Sequence, residues 1–388
     1  MKKISIIGRG TVGCLAVAHF LRWTECEIDW IYDPNIETSP VGEGTNLKFP
    51  FSLRTNFNFN SSDMDRIHAT PKIGIWKRDW SWCGSDFKHC FHSGETGIHF
   101  NAVEFQDYMF KKLKKHKRIN HIPKNVKDYE NLDSDYIMVC NGSPKSIKDK
   151  NFIPRKHTPV NSAVVLQCKW DLPKFLYSLT FAKIHGWLFG IPLTNRCAIG
   201  YVYNNKMSSE ADIIADVQDV LDEFKLKPYA QRNINFFNYS RKINFTERVC
   251  YNGNASFFLE PLEATSTSTA DLVNRLLFDY LFTKNKSLND INKEYQREIN
   301  ETESMISLHY LNSCWDNKFW LNANKLSRLK IKKDFKEKND VYNIIKRSIT
   351  GTDPFETYPR DVGTWNIYNY RVNIKHLKIK KILREMMK

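Results

Sequence analysis

A chain of 388 residues, 41% hydrophobic and 13% aromatic, has enough apolar material for one large core or two closely joined domains, which excludes a disordered chain. Its 58 basic and 43 acidic side chains leave a net charge of +15, a field that draws polyanions, phosphorylated cofactors or acidic partners without selecting among them. No apolar run is long enough to span a bilayer, the first residues enter a strand directly with no room for a signal peptide, and nine cysteines without a CxxC pair or histidine clustering exclude a disulfide framework and a zinc site.

The chain opens as a βαβ unit over residues 3–33, with strand KISIIG, turn and helix GRGTVGCLAVAHFLRW, and strand EIDWIYD. Gly8, Gly10 and Gly13 form GxGxxG. The first permits a tight turn, the second lets a pyrophosphate approach the backbone, and the third allows close helix packing, with the phosphates at the helix N-terminus. Asp33 ends the second strand, where a carboxylate accepts from ribose hydroxyls. The glycine-rich turn VGEGTN (41–46) follows, then TPKIGIWKRDWSWC (70–83). Lys72 there is either a snorkelling surface lysine or an amine in a partly desolvated pocket. His89 and His92 read as satisfied or surface histidines, because no further ligands accompany them. A helix is expected over residues 100–113, and the basic run 111–118 reads as a solvated helix face. The apolar DYIMVCNGS then stops at Asn141–Gly142, where a strand end brings its backbone close to a nucleotide cofactor.

Alternation over residues 161–203 predicts antiparallel strands, and SSEADIIADVQDVLDEFKL predicts a helix. The stretch FFLEPLEATSTST (257–269) sets Glu260 and Glu263 around Pro261–Leu262 before a row of small hydroxyl residues. It is open to two readings: carboxylates for acid/base or hydrogen-bonding work beside anion-binding amides, or a helix N-terminus capped by Ser or Thr. From residue 284 the pattern is helical and polar, with an aromatic patch over 363–371 and a basic tail over 375–388 that reads as another solvated helix face.

Together these pieces resemble the flavin-dependent halogenases of the tryptophan-halogenase family, in the same order along most of the chain. GRGTVG resembles the family's FAD loop, VGEGTN its flavin strap, TPKIGIWKRDW its catalytic-lysine segment, CFHSG its substrate-contacting histidine segment, GWLFGIPLTNRCAIGYVY its GWxWxIP signature and FLEPLEATS its FVEPLEST-G motif. The compact length resembles viral members, and the expected location is cytoplasmic, in the host cytoplasm if the chain is viral. The resemblance implies an α/β fold of the single-component FAD-dependent monooxygenase type: a Rossmann-type FAD module over 1–150 with an insert at 50–95, an antiparallel substrate-side sheet and helix over 151–245, a return to the FAD module over 246–285, and a helical substrate region over 286–388.

Carried over residue by residue, it places FAD against Gly8, Gly10, Thr11, Val12, Gly13, Asp33, Gly42, Glu43, Gly44, Thr45, Val126, Asn141, Gly142 and Pro261. It makes Lys72, rather than Lys77, the catalytic lysine with Glu263 beside it, and it puts halide at Thr265 and Ser266. Substrate contacts fall to Phe91, His92, Trp187, Phe189, Ile191, Pro192 and Trp365, and no metal is implied. Two departures stand out. Phe189 replaces a signature Trp that holds substrate off the flavin, keeping a ring but losing the indole N–H, and Ser266 replaces a Gly, so its Cβ is expected to restrict the backbone at the halide. Only six residues separate His92 from His99, where relatives carry a long insertion, which implies a more open substrate side and argues against free tryptophan as substrate.

The implied reaction uses FADH2, O2 and chloride, bromide or iodide to make hypohalous acid, which reaches Lys72. The ammonium then hydrogen-bonds the halogen, or the amine captures it as a haloamine, while Glu263 orients it or accepts the arenium proton and keeps Lys72 protonated. A separate flavin reductase and a small aromatic substrate are the expected partners, with neither nucleic acid nor membrane, and the basic C-terminal helix could pack against a second subunit. Two rivals are a flavin monooxygenase, which needs no Lys72, and a catalytically silent FAD-fold binding module.

Overall fold

The first apolar segments pair side by side. In the computed structural model, which describes residues 3–36, 42–91, 96–353 and 355–388, the strands Val249–Tyr251, Tyr136–Val139, Lys3–Ile7, Glu27–Tyr32 and Ile119–Pro123 form one parallel sheet in that spatial order. Ile4, Ile6 and Met138 are buried on one face and Ile7, Ile31 and Ile137 on the other, as expected of parallel strands covered on both faces. One face is covered by the helix Thr11–Trp23, which packs against the helices Ala102–Leu113 and Thr265–Phe278. Gly8, Asp33 and Asn141–Gly142 therefore all follow the C-terminal ends of adjacent parallel strands, where open α/β sheets bind ligands.

A second sheet of seven strands runs Lys227–Asn235, Ser162–Lys169, Cys197–Tyr203, Gly186–Pro192, Ser178–Lys183, Gly74–Arg78 and Asp86–Cys90. The antiparallel strands expected over 161–203 are all present. The insert supplies the last two strands, with Gly74–Arg78 parallel to Ser178–Lys183, so the boundary expected at 151 separates strands that are hydrogen-bonded neighbours. A third sheet of three strands sets Gly97–Asn101 between Gly42–Gly44 and Thr70–Lys72, which ties the glycine-rich turn to the lysine segment.

The predicted helix over 208–226 is two short ones, Glu210–Asp216 and Gln218–Glu223. Beyond residue 284 the chain is helical, as its pattern predicts. Leu288–His309 starts at a Ser287 capping box, Lys318–Glu337 at Asn317, Asp340–Thr350 at Asn339, and Ile367–His376 at an Asn366 capping box. In the basic tail, Ile374, Leu377 and Leu383 are buried while the lysines stay in water. The run at 111–118 is not a uniformly solvated face. Its helix ends at Leu113, and the Arg118 guanidinium donates to Leu21 O at 2.6 Å and Thr24 O at 2.5 Å, where the helix Thr11–Trp23 leaves unpaired carbonyls.

Candidate active site

The helix Thr265–Phe278 begins where the hydroxyl-rich stretch predicts, but no Ser or Thr caps it. Its N-cap is Ala264, and both Glu263 (φ 68) and Ala264 (φ 53) take left-handed backbone that side chains rarely adopt. Ser266 lies in the regular first turn, so the restriction expected there from its Cβ falls instead two and three residues earlier. The hydroxyls of Ser268 and Thr269 turn back to Thr265 O at 2.8 and 3.1 Å. The helix N-terminus at Thr265 and Ser266 has neither a side-chain cap nor an acidic residue in its first turn.

That backbone twist aims Glu263 into the interior. Its Oε1 lies 2.5 Å from Lys77 Nζ and 3.2 Å from His309 Nε2, and its Oε2 accepts from the Trp365 indole N–H at 2.9 Å. Burial pushes this carboxyl up, but the Lys77 charge together with the His309 and His89 contacts more than offsets it and holds the group well below the usual carboxylate range. Lys77, fully buried, also donates to Asn373 Oδ1 at 2.7 Å and sits 2.7 Å from His309 Nε2. His309 Nδ1 lies 3.3 Å from the carbonyls of Met305 and Ile306, and its Nε2 faces both Lys77 Nζ and Glu263 Oε1.

Lys72 closes the strand Thr70–Lys72 and is 1% exposed, which selects the desolvated reading over the snorkelling one. Among the described residues its ammonium makes no hydrogen bond or ion pair, and it lies 5.6 Å from the centroid of the Phe91 ring. Burial pushes it down to about 8, with Glu263 raising it and Lys77 lowering it. Glu263 thus acts on Lys72 in the expected direction, towards the protonated form, against burial and the Lys77 charge. Beneath this strand His99 bonds Thr70 Oγ1 at 3.1 Å and Ser178 Oγ at 2.9 Å, while Thr70 Oγ1 donates to Pro192 O at 2.7 Å. The signature proline and the lysine strand are thus directly coupled.

Glu260 and Glu263 do not act alike. Glu260 accepts from Tyr310 Oη at 2.7 Å, and burial raises it to about 8, so it is a neutral acid where Glu263 is ionised. His89 is buried and satisfied, with Asn369 Nδ2 donating to its Nε2 at 2.8 Å, and burial followed by the Lys77 charge keeps it neutral at about 3. His92 lies outside the described residues, as does Val41 of the glycine-rich turn.

Around Lys72 and Glu263 the described residues are enclosed rather than open. Lys72, Glu263, His309 and Trp365 are all at most 7% exposed, because Trp365 and the helix Ile367–His376 pack over the carboxylate from the C-terminal region. Trp187 is fully buried with its ring 6.2 Å from Trp80 and 6.1 Å from Phe189, and Ile191 and Pro192 continue the same strand. Gly200, opposite Phe189, leaves room for that ring: a Cβ there would lie 1.9 Å from Phe189 Cζ. Replacing Gly200 by Ala should displace Phe189 and lower stability by about 1–3 kcal/mol, read by denaturant unfolding.

The cofactor-side residues fit a dinucleotide. Gly8 (φ 117) lies so near the Cys140 carbonyl that a Cβ would sit 2.3 Å from its oxygen, and a Cβ on Gly13 would sit 2.2 Å from Gly8 O. Gly10 faces open space, and the helix that starts at Thr11 and Val12 has no side-chain cap, which suits a diphosphate. Asp33 accepts from Asn125 Nδ2 at 2.7 Å, and neighbouring Val126 packs on the apolar cluster of Ile7 and Ile31. Glu43, between Gly42 and Gly44, accepts from Thr11 Oγ1 at 3.0 Å and is raised to about 7 by burial against that bond. Thr45 Oγ1 accepts from Ile98 N at 2.9 Å, Gly142 takes φ 91 after Asn141, and Pro261 is exposed at the start of the Glu263 turn.

Lys77, His309 and Asn373 are the site residues that the motif pattern misses. Lys77 had a signal: in the strand Gly74–Arg78 it alternates onto the same buried face as Ile75, which is an unusual place for a lysine.

A family model described as tryptophan halogenase matches residues 3–151 and 124–365. A tryptophan 7-halogenase from Lentzea aerocolonigenes is 26% identical over 229 residues, a match covering 54% of this chain and 41% of that protein. Two solved structures share the fold. A tryptophan 5-halogenase, MibH, has a TM-score of 0.82 at 16% identity, covering 100% of this chain and 89% of that one. A tryptophan 6-halogenase from Streptomyces toxytricini has a TM-score of 0.78 at 17% identity, covering 100% and 96%.

Proposed function

The chain belongs to the tryptophan halogenase family, and from that premise we propose that it halogenates electron-rich aromatic or heteroaromatic rings at Lys72, with FADH2, O2 and a halide as co-reactants. The observation that carries this reading is a buried lysine left without a hydrogen-bonding partner among the described residues, within the field of an ionised, fixed carboxylate. A flavin monooxygenase has no use for that arrangement.

Reduced FAD bound at the glycine loop, with O2, supplies the oxidising power that converts halide to hypohalous acid. The uncapped amides at Thr265 and Ser266 would hold the halide. Trp187 and Phe189 separate the cofactor side from the ring to be modified. Lys72 Nζ receives the oxidised halogen, either donating to it as ammonium or bonding it as free amine, and presents it to the ring. The ring carbon takes the halogen, and the hydrogen it bore leaves as a proton to a Glu263 oxygen, so that ArH and HOX become ArX and water. The positive surface favours capture of the anionic reduced cofactor from a separate reductase. Bromide and iodide are easier to oxidise than chloride and are included among the halides.

The test is mass spectrometry of an indole and phenol panel incubated with the protein, FAD, a flavin reductase and NADH, with each halide supplied separately and a hypohalite scavenger present. Mono-halogenated products that survive the scavenger are expected. Products gaining only oxygen would move the chain to the monooxygenases. No product despite bound FAD would leave the silent binding module.

A further inference from the structure

Two buried lysines face one carboxylate, and only one of them is paired with it. We infer that Lys77 is a positioning residue: by binding Glu263 it fixes that carboxylate and leaves Lys72, among the described residues, as the unpaired lysine of the site. The inference deepens the halogenation reading, but its first readout does not depend on it.

Lys77 is held from three sides, by Glu263 Oε1 at 2.5 Å, Asn373 Oδ1 at 2.7 Å and His309 Nε2 at 2.7 Å. The Glu263 contact is an ion pair and the other two are hydrogen-bonding contacts, so polar groups surround the ammonium on three sides. The Trp365 ring, 5.1 Å from Lys77 Nζ, closes a further side and donates its own N–H to the other carboxylate oxygen. Glu263 is thereby gripped at both oxygens and cannot swing to Lys72 without leaving a buried ammonium exposed to an apolar interior.

The charged and titratable groups facing this pair are Lys72, His89 and His309 around Glu263 and Lys77, with His99 beside Lys72. Both His89 and His309 are held neutral by burial and the nearby Lys77, and burial does the same to His99. Beyond burial, the charges that act on Lys72 are therefore those of Glu263 and Lys77. With Lys77 removed, Lys72 is the remaining cation beside the carboxylate and should become harder to deprotonate.

The experiment follows Lys72 by NMR in protein labelled with 13C-lysine, its signal assigned by its loss in Lys72→Arg. Wild type should titrate near 8, and Lys77→Met should titrate at clearly higher pH. The double variant Lys77→Met/Glu263→Gln, which removes both charges and restores neutrality at the pair, should lose the upward displacement. An unmoved midpoint in Lys77→Met overturns the inference, as does a downward one, which would mean that Glu263 has taken up a proton instead of turning to Lys72. Should Lys77→Met fail to fold, the double variant decides: a Lys72 midpoint above the wild-type value shows that Glu263 is not what Lys77 controls. In the halogenation assay Lys77→Met should turn over at least about tenfold more slowly, because a misplaced carboxylate loses its aim, and Lys77→Arg should recover part of the rate. A wild type that makes no halogenated product removes the proposed reaction, while the titration still decides the role of Lys77.

Discussion

Lys72→Met should lose ring halogenation by at least about 100-fold while making the protein more stable at neutral pH. The loss follows from removing the nitrogen that presents the halogen. The gain follows from burial. Lys72 is 1% exposed and releases its proton at about 8 instead of the usual 10.5, so holding it charged at pH 7 costs on the order of 3 kcal/mol. A methionine of similar length fills the space without that cost. The sign with pH is fixed: a base with a lowered folded-state value destabilises below that value, and the cost fades as pH rises from about 8 towards 10.5. Chemical denaturation should therefore find Lys72→Met ahead of wild type at pH 7 and level with it near 10.5. Equal stability at pH 7 would show that Lys72 is not desolvated. The halogenation rate of wild type should also change with a midpoint near 8, rising if the free amine takes the halogen and falling if the ammonium does.

Much of this site was legible because its motifs are local. GxGxxG, a strand ending at Asp33 and another ending at Asn141–Gly142 depend on spacing within one unit, and the parallel sheet places them where the spacing implies. The partners of Glu263 were not legible. Lys77 meets His309 across 232 residues and Asn373 across 296, and Trp365 meets Glu263 across 102, so each contact exists only after the helical C-terminal region has packed. The backbone at Glu263–Ala264 was hidden for a different reason. Neither residue favours a left-handed conformation, and the motif pointed to Ser266 because glycine is the usual marker of such a position.

Glu263→Gln should also lose halogenation, again by about 100-fold, but with the opposite effect on stability. In wild type the carboxylate compensates Lys77, which is fully buried 2.5 Å away, and the amide would leave that ammonium with dipoles alone. Breaking one side of a buried pair costs about 3–5 kcal/mol. The pH sign is again determined. The folded-state value of Glu263 is depressed, so its contribution is present above the unfolded carboxyl value of about 4.3 and is lost as pH falls through the folded one. Wild type and Glu263→Gln should therefore differ most at neutral pH and converge in strong acid. Denaturation of both variants at pH 7 separates two ways of reading the site. If Lys72 and Glu263 formed one ion pair, removing either partner would strand the other and both variants would lose stability. With Lys77 as the partner of Glu263, Lys72→Met gains stability and Glu263→Gln loses it, while both lose the reaction.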